Sequence, residues 1–390
     1  MAIDKKIILG VIVIIVIIAG VWYSMQPREE VIALNGAGSS FIYPLMSKWA
    51  SEFHKANKNI TINYQSIGSG GGIRAILDGT VDFAASDAPL NADEYSNATA
   101  KGTIIHLPIT IGAVVIAYNI PDLEKRLILS GDVIADIYLG HITKWNDPRI
   151  QELNPDVTLP NEDIIVVKRS DGSGTTYVFT DYLSHVSDEW KNTIGKTKIF
   201  DFPGTIGDRG LSAKGNEGVT GVILQNPYSI GYIELTYAIQ SELNFALLKN
   251  RAGNIVDANT TTIGAAAEGA YESLPESTAS WENVTIVDQS TPNAYPISSF
   301  VYVLVYEEQK DSTKIEALKK WLTWITTDGQ DYADPLHYVP LPESIRQKNL
   351  VAINNIHSTS EVQASSLDTL TTILVTLMIK PLSRYSLPIA

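Results

Sequence analysis

The chain has 390 residues, a formal net charge of −14 and no cysteine. The lack of cysteine excludes disulfides, thiolate metal sites, cysteine nucleophiles and anchoring through a lipidated cysteine. The excess of 43 acidic over 29 basic residues argues against a general nucleic-acid binder. The 6 histidines form no HExxH pattern, which argues against a histidine-built zinc site, and we expect no metal and no cofactor.

The first predicted element is an apolar run from Ile7 to Tyr23, preceded by Lys5 and Lys6. As a helix this run is about 25 Å long, slightly short of a hydrocarbon core of about 30 Å. The positive residues in front of it place residue 1 in the cytoplasm and the rest of the chain outside. We predict an uncleaved membrane anchor with a polar tether over residues 1–30; a cleaved signal peptide is the alternative, and it exports the same body.

Strands and helices alternate after the tether, which predicts an α/β fold with largely parallel sheets flanked by helices. The predicted strands are Val31–Leu34, Ile60–Gln65, Val81–Ala85, Pro108–Asn119, Ile164–Val167, Ile230–Ile233, Leu243–Leu248 and Tyr295–Tyr306. The predicted helices begin at Pro44 and cover Gly72–Leu77 and Thr175–Val186. The glycine-rich stretch Phe202–Asn216 is predicted as a loop.

The last predicted element is an amphipathic helix, with apolar residues from Leu367 to Met378 on one face and an end at Lys380-Pro381. Its apolar part is too short to span a bilayer. We predict that it docks on the body; a membrane-surface segment is the alternative.

Three segments share one design, a strand followed by a Gly/Ser/Thr turn and then a helix. They are Asn35–Phe41, Ile67–Ile73 and Arg169–Thr175. Each turn presents the unpaired N–H groups of a helix's first turn, where the helix dipole adds partial positive charge. Such a helix start with nearby hydroxyls binds oxyanions, although serine and glycine are also ordinary capping and turn residues. Three such turns in one chain, one of them with an arginine, favour an anion site.

The same segments carry a family resemblance. The stretches concerned are NGAGSSFIYPLMSKWASEF, NYQSIGSGGGIRAILDGTVDFAASDAPL, IADIYLGHITKWNDPRI, VVKRSDGSGTTYVFTDYL, IGYIE and YPISSFVYVLVYEEQ. Together they resemble the extracellular phosphate-binding proteins of ABC-type phosphate importers, from about Val31 to Ile356. The run that ends in Ser86–Leu90 and the Arg-x-Asp-Gly-Ser-Gly-Thr element are the most specific parts.

The resemblance implies a two-lobed fold of the type II periplasmic-binding-protein kind, with mostly parallel sheets, that closes on one ion. We expect lobe I to comprise residues 31–109 and 296–356, and lobe II residues 110–295. The two long β-rich runs, Pro108–Asn119 and Tyr295–Tyr306, are then the links between the lobes. Residues 357–390 have no counterpart in the family and form a tail of unknown role.

The resemblance also implies a ligand set, which we carry over position by position. The implied phosphate ligands are Ser40, Phe41, Ser69, Asp87, Arg169, Ser173, Gly174 and Thr175, with Gly38, Ser39, Gly70 and Asp171 in support. Asp171 is the implied orienting partner of the Arg169 guanidinium. Ser40 stands where the family often has threonine, and this change keeps the hydroxyl.

Asp87 matches the family carboxylate that accepts a hydrogen bond from protonated phosphate. A carboxylate accepts hydrogen bonds and donates none, so it repels fully ionised sulfate. Taken without the resemblance, these residues have ordinary alternatives: Asp87 as the cap of a local turn, and Arg169 with Asp171 as a surface ion pair.

The sequence therefore predicts a monomeric, non-enzymatic receptor at the outer face of the cell membrane, extracellular or periplasmic. Its expected partners are inorganic phosphate, the ABC permease with its cytoplasmic ATPase, and the membrane through the N-terminal helix. The alternatives are a receptor for another oxyanion, a phosphate sensor or adhesion protein, and a phosphate-ester hydrolase. No covalent step is needed for the receptor function, and we expect no catalytic residues.

Overall fold

The computed structural model describes residues 31–359. The predicted anchor over Ile7–Tyr23 and the predicted amphipathic helix over Leu367–Met378 lie outside these residues. Within the described range, no helix is both long and apolar enough to cross a bilayer.

The described chain alternates strands with helices, as the sequence pattern predicts. The strands are β1 (Ile32–Gly38), β2 (Ile60–Ser66), β3 (Phe83–Ser86), β4 (Ile104–Asn119), β5 (Ile128–Ser130), β6 (Ile165–Arg169), β7 (Gly210–Ala213), β8 (Ser229–Glu234), β9 (Asn244–Phe245), β10 (Leu247–Lys249), β11 (Ile255–Val256), β12 (Ser298–Tyr306), β13 (Glu308–Gln309) and β14 (His357–Ser358).

The α-helices are α1 (Tyr43–Ala56), α2 (Ser69–Leu77), α3 (Ala92–Thr99), α4 (Gly131–Leu139), α5 (Pro148–Leu153), α6 (Gly174–Val186), α7 (Asp188–Thr193), α8 (Gly215–Gln225), α9 (Leu235–Gln240), α10 (Thr260–Ala267), α11 (Ile315–Thr326) and α12 (Glu343–Asn354). Short 3₁₀ helices cover Gly207–Arg209, Tyr271–Ser273, Ser312–Lys314, Asp328–Tyr332 and Asp334–Leu336.

The long strand β4 runs through both lobes of the α/β fold. Up to Ala113 it pairs with β12, and from Val114 onward it pairs with β8. The main sheet has the strand order β2-β1-β3-β12-β4-β8-β6-β7. We call the part built on β2, β1, β3, β12 and the first half of β4 lobe I. The part built on the second half of β4 with β8, β6 and β7 is lobe II.

The sheet is parallel at its outer strands and antiparallel in its centre. The β1–β2, β1–β3, β6–β7 and β6–β8 pairs are parallel, whereas β12 pairs antiparallel with β3 and β4, and β8 pairs antiparallel with β4. The outer strands are joined through helices, which favour parallel neighbours. The central strands carry the chain between the lobes in opposite directions, so the expected parallel pattern is limited to the outer strands.

Burial explains why these elements form where they do. Strand β4 is Val/Ile-rich and buried from Ile104 to Tyr118, as expected for a strand covered on both faces. Helix α1 has Pro44 in its first turn and buries Leu45, Trp49 and Phe53, which are spaced four residues apart and so share one face.

Two local predictions were wrong. Phe202–Asn216 is not all loop, because it contains strand β7 and the first two residues of α8. Strand β7 is short and made of small residues, so it lacks the apolar alternation that identifies a strand in sequence. The single strand predicted over Leu243–Leu248 is instead two short strands, β9 and β10, which pair with β4 and β5 respectively.

Candidate functional site

Four helices begin where the two lobes face each other. In lobe I, α1 and α2 follow β1 and β2; in lobe II, α6 and α8 follow β6 and β7. Both strand pairs are parallel, so the carboxyl ends of each pair meet at one edge of the sheet. The residues that precede α1, α2 and α8 provide no side-chain cap to these helices. Donor N–H groups from both lobes therefore converge on one place.

Asp87 follows strand β3 and is 1% exposed. Its Oδ1 accepts a hydrogen bond of 2.7 Å from Ser69 Oγ at the start of α2, and its backbone N–H donates to the same Oγ at 3.3 Å. Burial raises the pKa of the Asp87 carboxyl, and hydrogen bonds from Ser39 and Ser69 and the charge of Arg169 oppose this effect only in part. The group is thus a buried acceptor surrounded by donors.

Arg169 ends strand β6 and is 2% exposed. Its Nε donates to Asp171 Oδ1 at 2.8 Å and its Nη2 to Asp171 Oδ2 at 2.5 Å, a two-pronged ion pair that sets the plane of the guanidinium. The remaining Nη1 donates to Thr175 Oγ1 at 3.2 Å. Burial acts to raise the pKa of Asp171, but the hydrogen bonds and charge of Arg169 and the amide of Gly215 hold it below its ordinary value.

A chain of hydrogen bonds crosses from lobe I to lobe II. The side-chain amide of Asn216 donates to Ser40 Oγ and to Thr175 Oγ1, each at 3.0 Å, and its backbone N–H donates to Ser40 Oγ at 3.1 Å. Thr175 Oγ1 donates to Asp87 Oδ2 at 3.4 Å. The hydroxyls of Ser40 and Thr175 and the Asp87 carboxylate therefore belong to one buried network.

Glycine is required where the start of α6 in lobe II contacts lobe I. A Cβ on Gly174 would lie 2.3 Å from Asp87 Cγ and 2.4 Å from Ser69 Oγ, closer than a real Cβ approaches other atoms. The N–H of Gly70 donates to the carbonyl of Gly172 in the other lobe at 2.9 Å. The backbones of both lobes are thus packed against the Asp87–Ser69 pair.

Other predicted site residues have local structural roles. Ser173 caps α6, because its Oγ accepts from Thr176 N at 3.0 Å. Ser39 Oγ accepts from Phe41 N at 3.0 Å, while the Phe41 ring packs 6.3 Å from Tyr338. Gly38 has φ +139°, and a Cβ there would lie 2.1 Å from the carbonyl oxygen of Ala85.

The structure joins eight of the predicted residues through contacts at this interface, and it adds Asn216: the eight are Ser40, Ser69, Gly70, Asp87, Arg169, Asp171, Gly174 and Thr175. Asn216 ends the segment predicted as a loop, because strand β7 has no strand pattern in the sequence. The signal was the segment Ser212–Gly218, in which Gly215 with φ +73° introduces a fourth strand-turn-helix unit. Within residues 31–359 no three His, Cys, Asp or Glu side chains are grouped to hold a metal ion.

The arrangement presents many donors around one buried carboxylate, Asp87, which has no ion-pair partner in direct contact. The donors are helix N–H groups, three hydroxyls and the Arg169 guanidinium; the acceptor is Asp87. Such a set complements a small oxyanion that carries a proton on one oxygen.

Comparisons with known proteins show the family to which the chain belongs. The model of the PBP superfamily domain matches residues 26–329. The phosphate-binding protein PstS of Xylella fastidiosa (strain Temecula1) is 41% identical over 319 residues, which are 82% of this chain and 84% of that protein. PstS of Methanocaldococcus jannaschii is 38% identical over 347 residues, 85% of this chain and 88% of that protein.

Solved structures show the same fold. The high-affinity periplasmic phosphate-binding protein PfluDING, solved with phosphate bound, aligns with a TM-score of 0.64 at 21% identity, over 81% of this chain and 92% of that one. The chain therefore belongs to the PBP superfamily, and within it to the family of the phosphate-binding proteins named PstS.

Proposed function

We propose that this chain is a receptor that binds inorganic phosphate between its lobes and delivers it to an ABC permease driven by a cytoplasmic ATPase. It is a binding protein and not an enzyme, like the family to which it belongs. The observation that carries the proposal is the Asp87 carboxylate, buried at 1% exposure among hydroxyl and guanidinium donors.

The proposed ligands lie on both sides of the lobe interface. They are Ser40, Phe41, Ser69 and Asp87 from lobe I, and Arg169, Ser173, Gly174 and Thr175 from lobe II. Gly38, Ser39, Gly70 and Asp171 support them through the close packing and hydrogen bonds described above. Closure of the lobes removes the ion from water and strengthens each charge-assisted hydrogen bond.

Asp87 selects phosphate through the proton that this ligand retains near neutral pH. Sulfate is fully ionised and faces the same carboxylate with like charge. Each charge-assisted hydrogen bond contributes about 1.5–3 kcal/mol, so one such bond to Asp87 distinguishes the two anions by about ten- to hundredfold in affinity. The chain's charge of −14 is compatible with anion binding, because the local donors determine the field at the site.

In this proposal the two lobes lie at the outer face of the membrane. Residues 1–30 act as the anchor and tether, with Ile7–Tyr23 as the membrane helix. Lobe I comprises residues 31–109 and 296–356 and lobe II residues 110–295, and the two move about the crossing strands. Strand β4 supports this assignment, since its hydrogen-bond partner changes from β12 to β8 along its length.

Calorimetric titration of the full chain with phosphate and then with sulfate tests the proposal. We expect one phosphate per chain, bound tightly and in preference to sulfate. Asp87→Asn should narrow the ratio of the two dissociation constants by about tenfold or more, because the amide no longer repels sulfate.

Asp288→Asn is the matched control, since Asp288 is also buried, at 9% exposure, and burial also raises the pKa of its carboxyl. This variant should keep the selectivity of the unmutated chain. Equal affinity for both anions in the unmutated chain, or no phosphate binding, would contradict the proposal.

A further inference from the structure

Asn216 occupies the contact between the lobes and is 0% exposed. It is the second residue of α8 in lobe II, and it contacts hydroxyls from both lobes. Its own carbonyl oxygen accepts from Thr220 Oγ1 at 2.8 Å. The polar atoms of this side chain and backbone are thus all used within the protein.

The orientation of the Asn216 amide is determined by its neighbour. Its Oδ1 accepts from the backbone N–H of Glu234 at 2.9 Å. A backbone N–H only donates, so the oxygen must face Glu234 and the NH₂ must face the two hydroxyls. Strand β8 therefore holds the amide with its two hydrogens directed at Ser40 and Thr175.

These hydrogen bonds occupy the lone pairs of both hydroxyls. A hydroxyl has two acceptor lone pairs and one hydrogen. Ser40 Oγ accepts twice from Asn216, from its backbone N–H and its Nδ2. Thr175 Oγ1 accepts once from Asn216 Nδ2 and once from Arg169 Nη1. Each hydroxyl is left with only its hydrogen as a hydrogen-bonding group, and the hydrogen of Thr175 is directed at Asp87 Oδ2 over a long contact of 3.4 Å.

We propose that Asn216 is a positioning residue that makes Ser40 and Thr175 obligate hydrogen-bond donors toward the bound oxyanion. This inference rests on the proposed phosphate-binding function and adds a requirement on the protonation of the ligand oxygens. Ligand oxygens that face Ser40 and Thr175 must be acceptors, and the ligand's own O–H is accommodated at Asp87. Asn216 itself acts through the two hydroxyls, so its effect depends on their presence.

A double-mutant cycle measured by phosphate calorimetry tests this dependence. Asn216→Ala should lower phosphate affinity by about tenfold or more, because both hydroxyls regain free lone pairs and rotational freedom. In a chain with Ser40→Ala and Thr175→Val, the same substitution should lower affinity by less than about threefold. If Asn216→Ala does not fold, Asn216→Ser replaces it, since serine keeps a small polar side chain but lacks the amide NH₂ that donates to both hydroxyls.

The matched control is Asn154→Ala. Asn154 is buried in lobe II at 3% exposure, and its amide makes three hydrogen bonds to the backbone of Ile128 and Ile150. We expect this variant to lower the thermal unfolding midpoint with little change in phosphate affinity.

Three outcomes distinguish a failure of the proposed phosphate-binding function from a failure of the proposed role of Asn216. An unmutated chain that fails to bind phosphate overturns the proposed function. An unmutated chain that binds phosphate, with Asn216→Ala binding equally well, overturns the positioning role alone. An equal loss on Asn216→Ala with and without the two hydroxyls also overturns it, since Asn216 would then act by general stabilisation of α8.

Discussion

Carboxyl groups at the lobe interface are accommodated in two different ways. Asp171 is paired with the guanidinium of Arg169, and its pKa is lowered. Asp87 and Glu234 are buried without a cation in direct contact, and burial raises the pKa of both, that of Glu234 to about 8. The first arrangement fixes the orientation of the Arg169 guanidinium, whereas the second favours the protonated form of the carboxyl.

The Arg169–Asp171 pair leads to a prediction about geometry. Arg169→Lys keeps the positive charge but loses the planar fork that binds Asp171 and Thr175 at the same time. We expect phosphate affinity in calorimetry to fall by about tenfold or more. Arg126→Lys is the control, because Arg126 also forms a two-pronged ion pair, through Nη1 and Nη2, with Asp257 in lobe II. A lysine variant at 169 with unchanged affinity would show that charge alone suffices.

Glu234 leads to a prediction about pH and stability. Its carboxyl accepts from the backbone N–H and the hydroxyl of Thr236, each at 3.0 Å, and it is 0% exposed. Its pKa in the folded chain, about 8, lies above the ordinary value of 4.5, so the folded state binds the proton more tightly. The associated stability is present at acidic pH and is lost as pH rises through about 8.

Replacement of Glu234 by glutamine removes this titration. Relative to Glu234→Gln, the unmutated chain should lose free energy of unfolding between about pH 5 and pH 9 in urea titrations. Glu124→Gln, at an exposed position, should follow the unmutated chain at every pH. A difference between the unmutated chain and Glu234→Gln that does not change with pH would mean that Glu234 does not titrate in this range.

At the scale of elements, the site is built from repeated strand-turn-helix units. Three of the four units were evident as Gly/Ser/Thr turns, since the turn chemistry is local and requires small residues. The fourth, β7 followed by α8, lacks an apolar alternation in its strand and was missed. The site residue that this unit contributes, Asn216, was missed with it.

Gly174 leads to a prediction at this scale. Gly174→Ala places a Cβ 2.3 Å from Asp87 Cγ, so α6 has to move away from lobe I. We expect phosphate affinity to fall by about a hundredfold or more, since the hydrogen bonds contributed by α6 lengthen together. Small-angle scattering with phosphate should show a less compact chain than the unmutated protein.

Gly221→Ala is the matched control for that substitution. Gly221 also lies in a helix of lobe II, and a Cβ there meets nothing within 4 Å. Unchanged binding is expected for it, with a small gain in helix stability. Tight phosphate binding by Gly174→Ala would refute the requirement for close approach at α6.

At the scale of the whole molecule, an ion pair at the rim joins the lobes. Lys198 Nζ of lobe II contacts Glu94 Oε2 of lobe I, and the two side chains are 14% and 23% exposed. The carbonyl of Lys198 accepts from the N–H of Ser173 at 2.9 Å, directly before α6. The rim pair is therefore connected by one hydrogen bond to Ser173, a proposed phosphate ligand.

Lys198→Gln removes this pair without disturbing the Asn91–Glu94 capping box of α3. We expect phosphate release in stopped-flow experiments to become faster by about threefold to tenfold, while the association rate changes less. Lys48→Gln is the control, because its ion pair with Glu52 lies within α1 and does not join the lobes. An unchanged release rate would assign the Lys198–Glu94 pair no part in holding the lobes together.

The sequence by itself determined the local units: the alternation of strands and helices, the three glycine-containing turns, and the acid and arginine beside them. These features follow from periodicity and turn chemistry, which act over a few residues. With the family resemblance, they were sufficient to predict the two-lobed fold and the candidate ligands.

Only the tertiary structure decided which groups meet and in which hydrogen-bonding sense. Asn216 and Ser40 are 176 residues apart in the chain, and Asp87 and Thr175 are 88 apart. No local pattern encodes such contacts, because they depend on how the crossing strand β4 sets one lobe against the other. The hydrogen bonds that Ser40 and Thr175 accept from Asn216 follow from these contacts. The raised pKa values of the Asp87 and Glu234 carboxyls follow from their burial.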